Sequence, residues 1–258
     1  MARRPLARSF DLAGSLATTF LRGGAGIATT PLSRRPEWLF ELYEFEGCPF
    51  CRLVREVLTE LDLDTIIRPC PKGGERFRPA VETAGGRAQF PWFVDPNTGV
   101  RLYESQDIVT YLFDQYGGGQ ALPLRWRLPA LQTFGATVAG LSRGAAGTRV
   151  RPSRAPDRLL ELYAFEGSPF ARLVRERLCE LELPYVLRAC GRSTLEDWVP
   201  PPVREALDLH LEPRTLNRRL LLERAGRISI PYLVDPNTGA EMGDSAFILE
   251  YLDDTYAL

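Results

Sequence analysis

The chain repeats itself. "LYEFEGCPF" at Leu42 recurs as "LYAFEGSPF" at Leu162, 120 residues on. "PWFVDPNTG" at Pro91 recurs as "PYLVDPNTG" at Pro231, and "ESQDIVTYLFDQY" at Glu104 as "DSAFILEYLDDTY" at Asp244, both 140 residues on. The second copy therefore carries about 20 extra residues between Cys190 and Arg218. A period of this kind means two copies of one supersecondary unit, so a fold assigned to one copy must serve the other.

The repeat extends upstream. "LRGGAG" at Leu21 resembles "SRGAAG" at Ser142, and each follows a small-residue stretch compatible with a helix, 10–21 and 129–141. Residues 1–36 hold six arginines and one acid, Asp11, the composition of an organelle transit peptide. A removable peptide has no reason to recur in mid-chain, so 1–37 reads as the helix and linker of the first unit. The expected division is 1–37, a first domain over 38–120, a connecting helix and linker over 121–157, and a second domain over 158–258. An insertion falls near 191–212 in that second domain, as a lid or a surface excursion.

Each unit has a legible order. "WLFELYEF" is a short apolar run, a buried strand. From Pro49, Phe50, Leu53, Val54, Val57, Leu58 and Leu61 recur at helical spacing and give one apolar face. "TIIR" and "YVLR" are second strands. Helices follow near 76–84 and 216–225, then a hairpin around Pro-Asn-Thr-Gly. A last helix, capped by Ser105 or Ser245, ends near Tyr116 or Tyr256. Strand, helix, strand, helix, hairpin, helix describes an α/β chain of two tandem thioredoxin-like domains, each preceded by a short helix.

Only the first copy carries the pair Cys48-Pro49-Phe50-Cys51; the second has Ser168 and Ala171 in its place. Cys48 falls at a helix N-cap, where free N–H groups and the positive end of the helix dipole stabilise a thiolate. Cys51, one turn on, is placed to resolve a mixed disulfide. Cys48, as the more exposed of the two, is the expected attacker. Metal or iron–sulfur ligation and a vestigial pair are the alternatives. Five cysteines with one close pair make a poor secreted disulfide framework and suit a reducing compartment. With one histidine, His210, and no second cysteine pair, no metal site is expected. Cys70, Cys179 and Cys190 read as buried small hydrophobes. Net charge is -1, which gives no global electrostatic case for nucleic acid, and no apolar run is long enough for membrane insertion.

These motifs resemble those of glutaredoxins and of the N-terminal domain of glutathione S-transferases. More closely, "EGCPFCRLVREVLTELDLD", "PCPKGG", "FPWFVDPNTG" and "YESQDI" resemble a group of double-domain proteins of plants, algae and photosynthetic bacteria. The resemblance covers roughly 38–258. It implies glutathione as cofactor or co-substrate, with Phe50, Phe90, Pro91, Glu104 and Ser105 around it in copy one. Ile230, Pro231, Asp244 and Ser245 are the equivalents in copy two, and both prolines are expected in the cis form. Lys72, with Arg76 and Arg78, forms a cationic loop suited to glutathione's glycine carboxylate. Ser168 stands where some transferases use a hydroxyl to orient the glutathione thiol.

The expected activity is a glutaredoxin-like thiol–disulfide exchange by Cys48 and Cys51 on a protein or small-molecule disulfide. A transferase-type conjugating or isomerising enzyme is the alternative, although the chain has no room for a transferase's long all-helical domain. A glutathione-binding or iron–sulfur scaffold is the third. The bacterial cytosol and the plastid stroma both fit the cysteine usage. Oligomeric state is not legible.

Overall fold

The computed structural model describes residues 5–32, 34–194, 196–199, 203, 206 and 212–258. Half of the insertion near 191–212, His210 included, lies outside the described residues.

In copy one, β1 (Phe40–Glu44) leads into α2 (Pro49–Glu60), followed by β2 (Thr65–Pro69) and α3 (Arg78–Gly85). The hairpin β3 (Trp92–Asp95) and β4 (Val100–Leu102) and then α4 (Ser105–Tyr116) complete it. Copy two repeats this as β5 (Leu160–Ala164), α6 (Pro169–Glu180), β6 (Tyr185–Ala189), α7 (Leu216–Ala225), β7 (Tyr232–Asp235), β8 (Ala240–Gly243) and α8 (Ser245–Tyr256). Two further helices, α1 (Pro5–Leu21) and α5 (Pro129–Leu141), precede the copies.

The sheets of the two copies are one sheet. Its order is β4-β3-β1-β2-β6-β5-β7-β8, and β2 pairs antiparallel with β6 at the centre. Ile66 stands opposite Val186, its own counterpart in the repeat, so a local two-fold axis passes through that pair. Alone, β2 and β6 would each be an edge strand with unpaired N–H and C=O groups; the pairing closes both edges at once. A single apolar cluster runs through both copies, from Phe40 and Leu42 to Leu160 and Leu162.

The preceding helices cross over. Helix α1, ahead of copy one in sequence, packs on α6 of copy two, and α5 packs on α2 of copy one. The loops after them follow: Ala28 bridges Arg192, and Arg149 bridges Lys72. Gly47 N–H donates to Gly147 O at 3.3 Å, and Gly167 N–H donates to Gly26 O at 2.9 Å. Gly26 and Gly147 have φ near +70° and +67°, and a Cβ there would lie 2.8 Å from Glu166 or Glu46. Only glycine meets both conditions.

Two features serve each copy alike. Asp95 accepts from Tyr111 and Tyr116, and Asp235 from Tyr251 and Tyr256, which ties each hairpin to its last helix. Glu104 and Asp244 occupy the N-cap positions of α4 and α8; Ser105 and Ser245 are the first helical residues, not the caps expected of them. Asp244 caps its helix directly, accepting from Ala246 N–H at 2.8 Å.

The grooves beside the copies differ. In copy one, residues after α4 fold back between the helices, and Trp126 is 1% exposed there. Its indole N–H donates to Glu60 at 3.0 Å, and its carbonyl accepts from Gln106 at 2.9 Å. In copy two, the space between α6 and α8 is a cleft of about 800 Å³.

Candidate functional site

Cys48 is the N-cap of α2. Its sulfur accepts from Cys51 N–H at 3.4 Å. Ser168 is the N-cap of α6 and accepts from Ala171 N–H at 3.2 Å. The two copies therefore share the cap and differ in the sulfur; serine is among the best capping residues, so copy two keeps its helix start without a nucleophile.

Cys48 is the more exposed of the two cysteines, but neither is open to solvent. Cys48 is 4% exposed and Cys51 fully buried. The cause is the crossed linker: the loop around Gly147 hydrogen-bonds to Gly47, beside the thiol. Phe50, by contrast, is 46% exposed. A hydrogen bond from Cys51 lowers the Cys48 pKa, with help from the N–H groups of Cys51 and Phe50 and from Arg55, against the opposing effect of burial. Burial and then the hydrogen bond to Cys48 and its charge push Cys51 well up. The pair is thus polarised into one thiolate former and one thiol.

Beneath it lies a buried ionic network that the helical pattern did not suggest. Arg52, Arg55 and Glu56 lie outside the apolar positions of α2, yet all are buried. Arg55 meets Glu44, Glu46 at 3.2 Å and, from the other copy, Glu166 at 2.9 Å. Arg175 returns the relation, meeting Glu46 at 3.0 Å and Glu166 at 2.9 Å. Arg22–Glu56 and Arg143–Glu176 flank it at 2.6 and 2.7 Å. Burial would raise Glu166, but Arg175, Arg55, Arg172 and Arg52 overcome it and hold Glu166 down to about 2.

Glu44 breaks the symmetry. It follows Phe40 and Leu42 in the inward register of β1, where copy two has Ala164. Burial pushes it up to about 8; Arg55 pulls the other way but is shared with Glu46 and Glu166. The charge of Glu44 is felt at both sulfurs. Comparing the copies could have found it: the carboxyl and both thiols are absent from copy two together.

The other expected residues fall as follows. The Phe90–Pro91 and Ile230–Pro231 bonds are cis. Trp92 pairs with Tyr43 near the end of β1, which sets Pro91 beside the strand that leads to Cys48. The Phe90 ring lies 6.2 Å from Phe45, and Arg78 covers it at 4.8 Å. Glu104 is exposed and accepts from Gln89 at 2.6 Å, while Ser105 is buried. The Lys72 side chain is exposed, but its backbone is tied to Thr148 and Val150. Arg76 does not serve a cationic loop: it binds the carbonyls of Leu181 and Glu182 across the junction between the copies. In copy two, Asp244 and Ser245 line the cleft with Phe170, Leu173 and Leu249, and Leu12 of α1 forms part of the opposite wall. Ile230 and Pro231 do not line it. Asp244 has φ 72° and ψ 119°, a backbone state rarely held by a side-chain-bearing residue, whereas Glu104 is ordinary at φ -69°.

The family described as "Glutathione S-transferase, N-terminal domain" matches residues 42–120 and 162–258. The chain belongs to that family. It carries the domain twice, and together the matched segments cover more than half of the chain. Among solved structures, a glutathione transferase of Bombyx mori is 29% identical over 38% of this chain, with a TM-score of 0.31. That match spans 45% of the transferase, under half its length. The search of curated proteins found no match. Among the described residues no cluster suits a metal ion, and no helix is long and apolar enough to cross a membrane.

Proposed function

We propose that copy one is a thiol–disulfide oxidoreductase that uses glutathione. The Cys48 thiolate attacks one sulfur of a mixed disulfide; the other sulfur leaves as a thiolate and takes up a proton. Cys51 then loses its proton and attacks Cys48, releasing the second thiol and leaving a Cys48–Cys51 disulfide. Alternatively, where Cys48 is joined to glutathione, a second glutathione thiolate attacks the glutathionyl sulfur, forming glutathione disulfide and releasing the Cys48 thiolate. Two glutathione molecules supply the two electrons of each cycle. A carboxyl that titrates near neutrality beside the dithiol can accept the Cys51 proton, and Glu44 fits that role. The observation that carries this reading is the polarised pair at the helix N-terminus, lowered at Cys48 and raised at Cys51.

A second reading concerns copy two. The unusual backbone of Asp244 at the mouth of an open cleft supports a ligand site without redox turnover. An acid and a helix N-terminus suit the ammonium and carboxylate of a γ-glutamyl group. Ser168, 2% exposed and engaged in its cap, is poorly placed to orient a thiol.

The test is glutathione-dependent reduction of a small mixed disulfide by wild type, Cys48→Ser and Cys51→Ser. Turnover lost without Cys48 and partly kept without Cys51 is expected. An inactive wild type with Cys48 shown to be reduced would overturn the proposal and move attention to copy two.

A further inference from the structure

The grooves beside the two copies are counterparts with different contents. In copy one the groove is filled from within: buried Trp126 is held by Glu60 and Gln106, and the Arg125 guanidinium lies 5.3 Å from its ring. Arg125 also pairs with Glu60. The counterparts of Glu60 and Gln106 in the repeat are Glu180 and Ala246, and both line the copy-two cleft. The cleft is thus the place where copy one seats a tryptophan between two arginines, Arg125 and Arg127. Ala257 and Leu258, which follow α8, are not in its lining: Ala257 bridges Ser153, and Leu258 N–H donates to the Pro152 carbonyl at 3.1 Å.

The lining of the cleft is amphipathic, and its charges do not balance. Leu12, Phe170, Leu173 and Leu249 give it an apolar side. Its three arginines are all engaged: Arg143 with Glu176 at 2.7 Å, Arg177 with Glu180 at 3.3 Å and with Asp253, and Arg151 with Asp253 at 3.3 Å. Three carboxylates are left over. Asp244, Glu250 and Asp254 line the α8 side, are exposed, and enter no ion pair among the described residues. Asp244 only caps its helix. In copy one the same positions are Glu104, Thr110 and Asp114, and Glu104 there has Arg87 at 3.7 Å. Glu180, the counterpart of the acid that holds Arg125, is already answered by Arg177. The cations of a ligand are therefore left the α8 side.

We infer that the copy-two cleft receives a basic peptide segment of a partner protein, in which a bulky apolar side chain, tryptophan above all, is flanked by arginine or lysine. The anchor enters the apolar side, and the cations meet Asp244, Glu250 and Asp254. The volume of about 800 Å³ is in the range of ligand sites. A second copy of this chain is not the source, because its own Trp126 is already seated and buried in copy one. The site shares Asp244 with the γ-glutamyl reading of the cleft mouth, but it rests on the apolar side and on Glu250 and Asp254, and it uses neither Cys48 nor Cys51.

Fluorescence anisotropy of the full chain with a labelled peptide of residues 123–129, "PLRWRLP", tests this. The peptide is expected to bind. Alanine in place of its tryptophan, or glutamate in place of both arginines, is expected to weaken binding at least about tenfold. In the chain, Glu250→Gln with Asp254→Asn is expected to weaken binding at least about threefold and to flatten its salt dependence. Phe170→Ala is expected to weaken it at least about threefold with the salt dependence kept. All three side chains are exposed, so the variants keep their far-ultraviolet circular dichroism. Failure of wild type to bind, equal affinity for the charge-reversed peptide, or equal binding by the acid variant overturns the proposal. The last result gives the peptide to the copy-one groove. Glutathione affinity is read on the same variants, which keep Asp244 and Ser245, so the γ-glutamyl reading stands or falls separately.

Discussion

Glu44→Gln tests how the dithiol is tuned. Glutamine keeps the shape and a partner for Arg55 and removes the charge. An ordinary glutamate titrates near 4.5; in the fold, Glu44 is pushed up to about 8. Between those values the folded chain holds one proton more than the unfolded chain. Stability therefore falls as pH rises, by about 1.4 kcal/mol per unit for one proton. Across the window the loss reaches about 5 kcal/mol at most. The contribution is complete below the unfolded value and gone once pH passes the folded one. The variant has no such proton to lose. Urea titrations of the two proteins should nearly coincide at about pH 5. By about pH 9 the variant should be the more stable by several kcal/mol. A difference that does not change with pH, or a variant less stable at the alkaline end, would refute the assignment of a raised pKa to Glu44.

Alkylation of the native chain by iodoacetamide, read by mass spectrometry, should modify Cys48 alone, with a midpoint below the usual thiol value of 9.0; equal rates at Cys51 or Cys70 would contradict the polarised pair. Arg55→Met should move that midpoint upward and cost about 3–5 kcal/mol in urea, because it strands buried carboxylates. Trp126→Ala should cost about 3–5 kcal/mol by opening the copy-one groove, and a loss within error would mean that residues after α4 do not fill it.

Much of the fold was legible because each copy had to explain the other. Strand and helix limits follow from apolar spacing, and the hairpins from their turns. What the spacing could not carry is partnership. Nothing in "TIIR" says that its free edge meets "YVLR". The apolar spacing of α2 says nothing of where Arg52, Arg55 and Glu56 go, because a helix read alone gives charges to water; here Arg52 and Arg55 both meet Glu166 of the other copy. The crossing of α1 and α5 was hidden for the same reason, since adjacency in sequence suggests adjacency in space. At the site, the dithiol and the cis prolines were readable from the repeat. The burial of Cys48 was not, because the loop that covers it precedes the other copy.

The crossed linkers and the central axis through Ile66 and Val186 have the geometry of a homodimer with exchanged arms, drawn through one continuous chain. Two identical subunits must accept every substitution twice, once on each side of their axis. A chain that contains both sides accepts it once. That freedom lets Ala164, Ser168 and Ala171 stand opposite Glu44, Cys48 and Cys51 within one shared sheet. The half without the dithiol supplies the Glu166 carboxylate that steadies Arg55 below it, and is in this sense the other half's permanent subunit.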